Sequence, residues 1–194
     1  MLLCAALVPR ESGRRVPLAP WLPAASAILS LAAFWFLCRL TLADRHLRSA
    51  LIYAAVGDTR AEQEFGEAQL WNPWETDFRM ARAKHLHAVA QSLTHPERRR
   101  ALYEEAAAIG REALRLRPAQ IDSYQIYGTS LMLSTLEGVP NRLAEAEAAL
   151  DHAQTLDPAF TPLIANRIKL ARLTGKAGKR DQLETLYNRL QASA

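Results

Sequence analysis

Cysteine, glycine and the β-branched residues are all scarce in this chain. Its 194 residues include two cysteines, Cys4 and Cys38, so residues 45–194 can hold neither a disulfide framework nor a cysteine zinc site. Eight glycines, few valines and isoleucines, and no run that alternates apolar with polar residues argue against a β-sheet. Alanine, leucine, arginine and glutamate dominate instead, and these residues lose little side-chain freedom in a helix. The composition therefore predicts an all-α protein.

The motifs of common catalytic sites are also missing. The sequence has no glycine-rich phosphate loop, no Gly-x-Ser-x-Gly elbow and no cysteine–histidine pairing. His85 and His87 are two residues apart on a predicted helix, so their side chains diverge by about 200° and cannot share a metal ion. We therefore predict that these 194 residues are not an enzyme and bind no metal and no cofactor.

The distribution of charge argues against a nucleic-acid partner. The formal net charge is +4, but residues 1–44 carry four arginines against Glu11 and Asp44. The rest of the chain, with 20 basic and 18 acidic side chains, is close to neutral. Arg98, Arg99 and Arg100 are its one basic cluster, and three adjacent charges at the start of a helix are usually solvated. We predict no nucleic-acid surface.

A long stretch without charge lies near the N-terminus. Val16 to Cys38 reads VPLAPWLPAASAILSLAAFWFLC, which is long enough to cross a bilayer core of about 30 Å as a helix. Trp21 and Trp35 lie near its two ends, as in the aromatic belts of membrane spans. A cleaved signal peptide fits poorly because the first nine residues carry no basic side chain. We predict a transmembrane helix over residues 16–43.

The segments that flank this stretch bear on its topology. Residues 1–15, MLLCAALVPRESGRR, resemble the end of another apolar span followed by a short basic loop. Three arginines precede the uncharged run and three follow it, but a compact basic loop before a span is the more typical cytoplasmic signature. We therefore predict a bacterial inner-membrane protein whose C-terminal region lies in the periplasm.

Three prolines mark a repeat in the remainder of the chain. Alignment on Pro73, Pro118 and Pro158 gives EAQLWNPWETD, EALRLRPAQID and HAQTLDPAFTP, with spacings of 45 and 40 residues. Proline lacks an N–H and fixes φ, so each should end one helix and begin the next. A small residue recurs twelve and five positions before each proline, and an apolar residue recurs two before it. These positions are Ala61, Ala68 and Trp71, then Ala106, Ala113 and Leu116, then Ala146, Ala153 and Leu156.

This pattern resembles the tetratricopeptide repeat (TPR), a helix–turn–helix unit of 34 residues. After Pro118, the segment IDSYQIYGTSLM has Tyr124, Tyr127 and Gly128 at the offsets of the family's first helix. The best match to the second helix is AEQEFGEAQLWNP, through Ala61, Phe65, Ala68 and Pro73. The spacings exceed 34 because two turns, QSLTHPER and EGVPNR, are long. Helical hairpins of another repeat type are the alternative, since the period does not determine the subtype.

The resemblance covers residues 44–192 and implies an α-solenoid of about four helical hairpins after the membrane helix. The expected helices are 21–56, 60–71, 75–91, 96–116, 120–136, 141–156, 160–174 and 179–191. In the family's register, the first helix of each hairpin lines a concave face that binds a protein or peptide. The residues on that face would be Asp77, Met80, Lys84, His87, Asp122, Gln125, Thr129, Met132, Lys169 and Arg172.

Two tryptophans flank the first of the three prolines. Trp71 stands where the other two copies of the repeat have leucine, so we expect it to pack between repeat units. Trp74 stands where the other copies have alanine, and the repeat therefore does not require it. We expect Trp74 to contact the membrane-proximal helix.

Two functions are compatible with these features. The first is a membrane-anchored TPR-like module that mediates protein–protein interaction in a bacterial envelope process. The second depends on the order of apolar span, helix and repeats, which is similar to the C-terminal tail of O-antigen ligase and polymerase-like membrane proteins. Such a tail would be the non-catalytic part of a glycosyltransferase involved in surface polysaccharide assembly.

Overall fold

The computed structural model describes residues 21–139 and 141–192, and every regular element within them is an α-helix. The helices are α1 (Leu22–Ala55), α2 (Arg60–Trp71), α3 (Thr76–Ser92), α4 (Pro96–Leu116), α5 (Ile121–Leu136), α6 (Leu143–Leu156), α7 (Thr161–Leu173) and α8 (Ala177–Ala192). The expected all-α fold is confirmed, and each helix begins and ends within two residues of its predicted bounds. The segment 1–15 and the first residues of the predicted span lie outside the described residues.

The chain divides into two compact units, Met1–Cys38 and Arg39–Ala194, and α1 contributes residues to both. The first unit is described from Trp21 onward, and its large apolar side chains, such as Ile28 and Phe34, are exposed. One helix in the described part of the chain, Pro23–Ala55, is long and apolar enough to cross a membrane, with a mean hydropathy of 1.7. None of its most apolar stretch is buried within the protein. The second unit begins five residues before the repeat domain expected at residue 44.

The second unit is a row of helical hairpins with two kinds of turn. Within three of the hairpins the turn contains a glycine at positive φ: Gly57, Gly138 and Gly175. Between hairpins the connection contains one of the three aligned prolines, and each such connection is built in the same way. The first N–H after α2, α4 and α6 donates to the carbonyl of Ala68, Ala113 and Ala153 respectively. The repeat in the sequence is therefore also a repeat in hydrogen bonding.

The recurring alanines are buried between helices. Ala61 and Ala68 in α2 are fully buried, and so are the four equivalent alanines in α4 and α6. A residue with a single methyl group lets the backbones of two helices approach closely. The apolar position two before each proline is less buried, since Leu116 and Leu156 are each 39% exposed and Trp71 is half-buried. Their side chains lie near the outer end of the helix, where the next helix covers them only partly.

The packing order is that of a solenoid. Each helix from α2 onward packs on the next one, and α3 contacts α5 while α5 contacts α7. The buried apolar residues form four clusters along the row, the largest of which joins α4, α5, α6 and α7 around Leu131, Leu150 and Leu163. Each hairpin thus buries its apolar face against its neighbours, which places the first helices of successive hairpins side by side on one face.

Gly128 marks the tightest approach between α5 and α6. A Cβ atom at this position would lie 2.7 Å from Cγ of Leu150 and 3.0 Å from the backbone oxygen of Ala146. Leu150 is fully buried in the largest apolar cluster. Glycine is therefore required here for steric reasons, in the middle of a helix where its flexibility is unfavourable.

Replacing Gly128 with alanine should destabilise the protein despite the higher helix propensity of alanine. Overpacking costs about 1–3 kcal/mol and the propensity gain recovers about 1 kcal/mol, so the net loss is up to about 2 kcal/mol and the Tm should fall by up to roughly 8 °C. The matched control is Gly66→Ala in α2, because a Cβ at Gly66 would meet no atom of a neighbouring helix within 4 Å. That variant should gain about 0.5–1 kcal/mol. Circular dichroism of the full chain in detergent measures both, and a Tm for Gly128→Ala that rises as much as the Tm for Gly66→Ala would contradict the close packing.

Candidate functional site

The first helices of the hairpins enclose an open groove of about 610 Å³. The C-terminal part of α1 forms one wall and α3 forms the opposite wall and the floor, while α5 contributes one residue to the rim. This arrangement follows from the solenoid, since α1, α3 and α5 are successive first helices. We name it the α1/α3/α5 groove, and its lining residues are Leu51, Ala54, Ala55, Phe65, Asp77, Met80, Ala81, Lys84, His85, Ala88 and Asp122.

Polar contacts between α3 and the start of α5 form the rim of the groove. Nζ of Lys84 lies 3.2 Å from Oδ2 of Asp122, and Nε2 of Gln120 donates to Oδ1 of Asp77 over 3.0 Å. Lys84 and Asp77 are exposed, and such surface pairs contribute little to stability. These charged groups can therefore exchange their present contacts for those of a ligand at low cost.

The floor of the groove is apolar. Phe65 and Met80 are almost completely buried beneath it, and Leu51 of α1 is about half exposed on its wall. The His85 ring packs at a centroid distance of 5.4 Å from Phe65. His85 also lines a second cavity of about 460 Å³ near the turn between α1 and α2, where Asp58 and Glu62 add acidic groups. The two cavities thus adjoin along α3.

Three of the ten residues expected on the binding face, Asp77, Lys84 and Asp122, lie on the rim of this groove. Two others belong to the core. Met80 borders the groove but is only 3% exposed, and Oγ of Ser123 in α5 lies 3.6 Å from its sulfur. Met132 is 2% exposed and lies in the same apolar cluster as residues of α7. The expectation of two exposed methionines for a partner is therefore corrected.

The other expected residues lie farther along the row of first helices. Gln125 is half-buried, and Thr129 accepts a hydrogen bond from Nδ2 of Asn166 over 3.0 Å. Lys169 is exposed on α7. Arg172 lies 2.7 Å from the Glu184 carboxylate of α8, so its guanidinium bridges the last two helices. These residues do not line the α1/α3/α5 groove.

The sequence reasoning missed the contribution of α1 to the groove. The last turns of this helix belong to the predicted repeat domain, but none of their residues was expected on the binding face, whereas Leu51, Ala54 and Ala55 line the cavity. The available signal was the helical spacing of Leu47, Ala50 and Ala54, which pack on Phe65 of α2. Across the residues that the structure describes, no group of three or more His, Cys, Asp or Glu side chains could hold a metal ion.

His87 is a half-buried histidine beside the row of first helices. Its Nε2 lies 2.7 Å from Oγ of Ser130, and since that hydroxyl donates to the Ile126 carbonyl, Nε2 is the donor to it. The ring also packs edge-on against Tyr103 at 5.5 Å between centroids. Loss of hydration lowers the pKa of His87 from its ordinary value of 6.5 to about 4. The neutral imidazole therefore joins α3 to α5 at physiological pH.

Comparison with known proteins supports the fold. No protein family matches the sequence, and no curated protein matches it either. Among solved structures, the chain is similar to a thermophilic TPR protein from Thermus thermophilus, with a TM-score of 0.60 and 19% sequence identity. The match covers 77% of this chain and 73% of that one. The fold is TPR-like. At this identity the likeness establishes the architecture and leaves the function to the site itself.

Acidification should destabilise the protein through His87. Because the pKa of this group is about 4 in the folded chain, the unfolded chain binds the proton first, and stability is lost as the pH falls from about 6.5 towards 4. Between pH 7 and pH 5 we expect the free energy of unfolding to drop by roughly 1–2 kcal/mol more in the wild type than in His87→Gln. Denaturant unfolding at both pH values measures this difference. His95→Gln, at an exposed position, is the control and should behave like the wild type; an equal drop in His87→Gln would contradict the assignment.

Proposed function

We propose that the chain is a membrane-anchored TPR-like module that binds a protein or peptide in a bacterial envelope process. The observation that carries the proposal is the α1/α3/α5 groove, which combines an apolar floor with a charged rim on the face formed by first helices. Its volume of about 610 Å³ falls in the usual range for binding clefts. A floor of this kind accepts apolar side chains, and the rim selects their orientation through hydrogen bonds.

The rim favours a segment that carries charges of both signs. Lys84 offers an ammonium group, while Asp77 and Asp122 offer carboxylates within the same groove. The second cavity adds Asp58 and Glu62 beyond His85, so the acidic character increases towards the turn between α1 and α2. An extended peptide with a basic residue at that end and an acidic residue near Lys84 would match this order of charges.

The anchoring half of the proposal depends on the apolar part of α1. The side chains there, including Leu29, Leu31 and Trp35, are exposed all along the helix, and none of the most apolar stretch is buried. A helix that is apolar on every side requires an apolar surrounding, and a bilayer core supplies one. We place the helical repeats on the periplasmic side, following the compact basic loop that precedes the span in the sequence.

The second candidate is the non-catalytic C-terminal tail of an O-antigen ligase-like or polymerase-like glycosyltransferase. It is favoured by the order of an apolar helix followed directly by TPR-like hairpins. The DNA upstream of Met1 separates the two candidates. An in-frame reading frame that encodes further apolar spans would support the ligase-like tail, and a stop codon followed by a ribosome-binding site would reject it.

Reversing the charge of Lys84 should weaken partner binding. Lys84→Glu removes the ammonium group from the rim and brings a third carboxylate next to Asp122, which lies 3.2 Å from it in the wild type. We expect the affinity for the partner to fall by about 1–2 kcal/mol, roughly 5- to 30-fold. The measurement is quantitative co-purification of tagged full-length chain from detergent-solubilised membranes.

The matched control for this experiment is Arg98→Glu, which makes the same change of charge at an exposed position on α4, away from the groove. It should recover partners in wild-type amounts. Equal recovery with Lys84→Glu and Arg98→Glu would reject the groove as the binding site, whether or not the chain has partners elsewhere.

The anchor and its orientation can be tested with a single fusion. Alkaline phosphatase joined after Ala194 folds only in the periplasm, so we expect enzyme activity that remains with the membranes after an alkaline carbonate wash. Activity in the supernatant of the wash would contradict the anchor. An inactive phosphatase together with an active cytoplasmic reporter at the same position would contradict the periplasmic placement.

A further inference from the structure

The connection between α2 and α3 exposes two large apolar side chains to solvent. Leu70 is 69% exposed and Trp74 is 63% exposed, and they flank the turn that contains Pro73. We name residues Leu70–Trp74 the α2/α3 corner. Removing large apolar side chains from water is favourable. Two such exposed residues at one corner therefore indicate a surface that contacts another molecule.

Neither side chain is required by the repeat. At the position of Leu70, three before the proline, the other two corners have Arg115 and Thr155, and at the position of Trp74 they have Ala119 and Ala159. All three corners share the same proline turn and the same cap hydrogen bond. The proline turn and its cap hydrogen bond therefore do not require a large apolar residue at either position. Leu70 and Trp74 are found at this corner and not at the other two.

Arg39 holds the α2/α3 corner against α1. Its Nε donates to the Trp71 carbonyl over 3.2 Å, and its Nη2 lies 3.5 Å from the Leu70 carbonyl. These are carbonyls at the C-terminus of α2, where helical partners are missing and the helix dipole is negative, so a guanidinium is favourable there. The same guanidinium lies 5.9 Å from the centre of the Trp74 ring. Trp74 is thus tied to one particular residue of α1.

That residue is the first charged one after the uncharged run that ends at Cys38. At about 1.5 Å per residue, the helix from Leu22 to Cys38 rises roughly 25 Å, close to the thickness of a hydrocarbon core of about 30 Å. Arg39 therefore leaves the core at the level of the lipid headgroups. The Trp74 ring, within 6 Å of the Arg39 guanidinium, lies at the same level.

We propose that the α2/α3 corner is a second membrane contact, with Trp74 and Leu70 embedded in the headgroup layer. This inference rests on the anchor proposed above and goes beyond it. Tryptophan suits this layer because its ring is apolar and its N–H is polar, and it is enriched at the surfaces of bilayers. The contact attaches the first repeat to the lipid surface at the end of α2.

The test uses the depth of Trp74 in lipid vesicles. Trp21, Trp35 and Trp71 are replaced by phenylalanine in the full chain, which leaves Trp74 as its one tryptophan. The protein is reconstituted into phosphatidylcholine–phosphatidylglycerol vesicles that contain lipids brominated either near the headgroup or near the end of the acyl chain. We expect at least twofold stronger fluorescence quenching by the shallow bromine than by the deep one, and weak quenching by aqueous acrylamide.

The matched control carries its single tryptophan at the equivalent position of another corner. All four native tryptophans are replaced by phenylalanine and Ala159→Trp is introduced, so the same turn presents the same side chain far along the repeats. This tryptophan should be quenched by acrylamide and not by brominated lipid. Circular dichroism verifies that each variant is folded, and the difference in quenching between the wild type and Trp74→Phe gives a second reading in the native background.

Three results would overturn the inference, and they can be told apart. If Trp74 is open to acrylamide and insensitive to bromine while the chain resists a carbonate wash, the anchor stands and the corner does not contact lipid. If Trp74 is shielded from both quenchers, a second copy of the chain or another protein covers it. If carbonate releases the chain from the vesicles, the anchor itself fails and the corner fails with it.

Discussion

The close approach of helix backbones is the constraint on which the rest of this structure depends. Six alanines at matching positions are fully buried, and Gly128 leaves no room for a single additional carbon atom. Larger residues at these positions would push the helices apart and open gaps, since a packed interior loses both contacts and burial when its shape no longer matches. The hairpins are close enough to stack only because these side chains are small. The solenoid is the consequence of that stacking.

A solenoid of this kind leaves an open groove as a by-product of its packing. Because α3 contacts α5 and α5 contacts α7, the first helices form a continuous surface, and the gap between α1 and α3 remains as a groove. The chemistry of the groove then depends on the few side chains that packing does not use. Lys84, Asp77 and Asp122 are of this kind, since their contacts join exposed groups across the rim. Stability and the proposed recognition would therefore be carried by different residues on the same helices.

Much of the architecture could be predicted from the sequence because its signals are local. Pro73, Pro118 and Pro158 mark the connections between hairpins, and an alanine five residues earlier accepts the cap hydrogen bond in each case. These effects act within one or two helical turns and need no knowledge of distant residues.

The binding face was harder to predict because it depends on which helix covers which side chain. Met80 and Met132 occupy register positions that face the groove in a regular array, but α5 and α7 approach closely enough to bury them. Exposure of this sort is set by contacts between residues about 40 positions apart. The wall formed by Leu51 and Ala54 was missed for a related reason, because one helix serves both the apolar segment and the first hairpin.

The departures from the repeat carry more information about function than the repeat itself. The proline and the cap hydrogen bond occur at all three corners and are explained by the turn. A tryptophan that occurs at one corner alone is not explained by the turn and must have another role. Arg39 supplies the link, since under the proposed anchor a charge directly after the apolar helix would be held at the lipid headgroups, and its side chain is bonded to the same corner. In the proposed arrangement an internal repeat has protein on both sides, whereas the first repeat has lipid on one side. Its outer residues should therefore match lipid, as Leu70 and Trp74 do and as Arg115 and Ala119 do not.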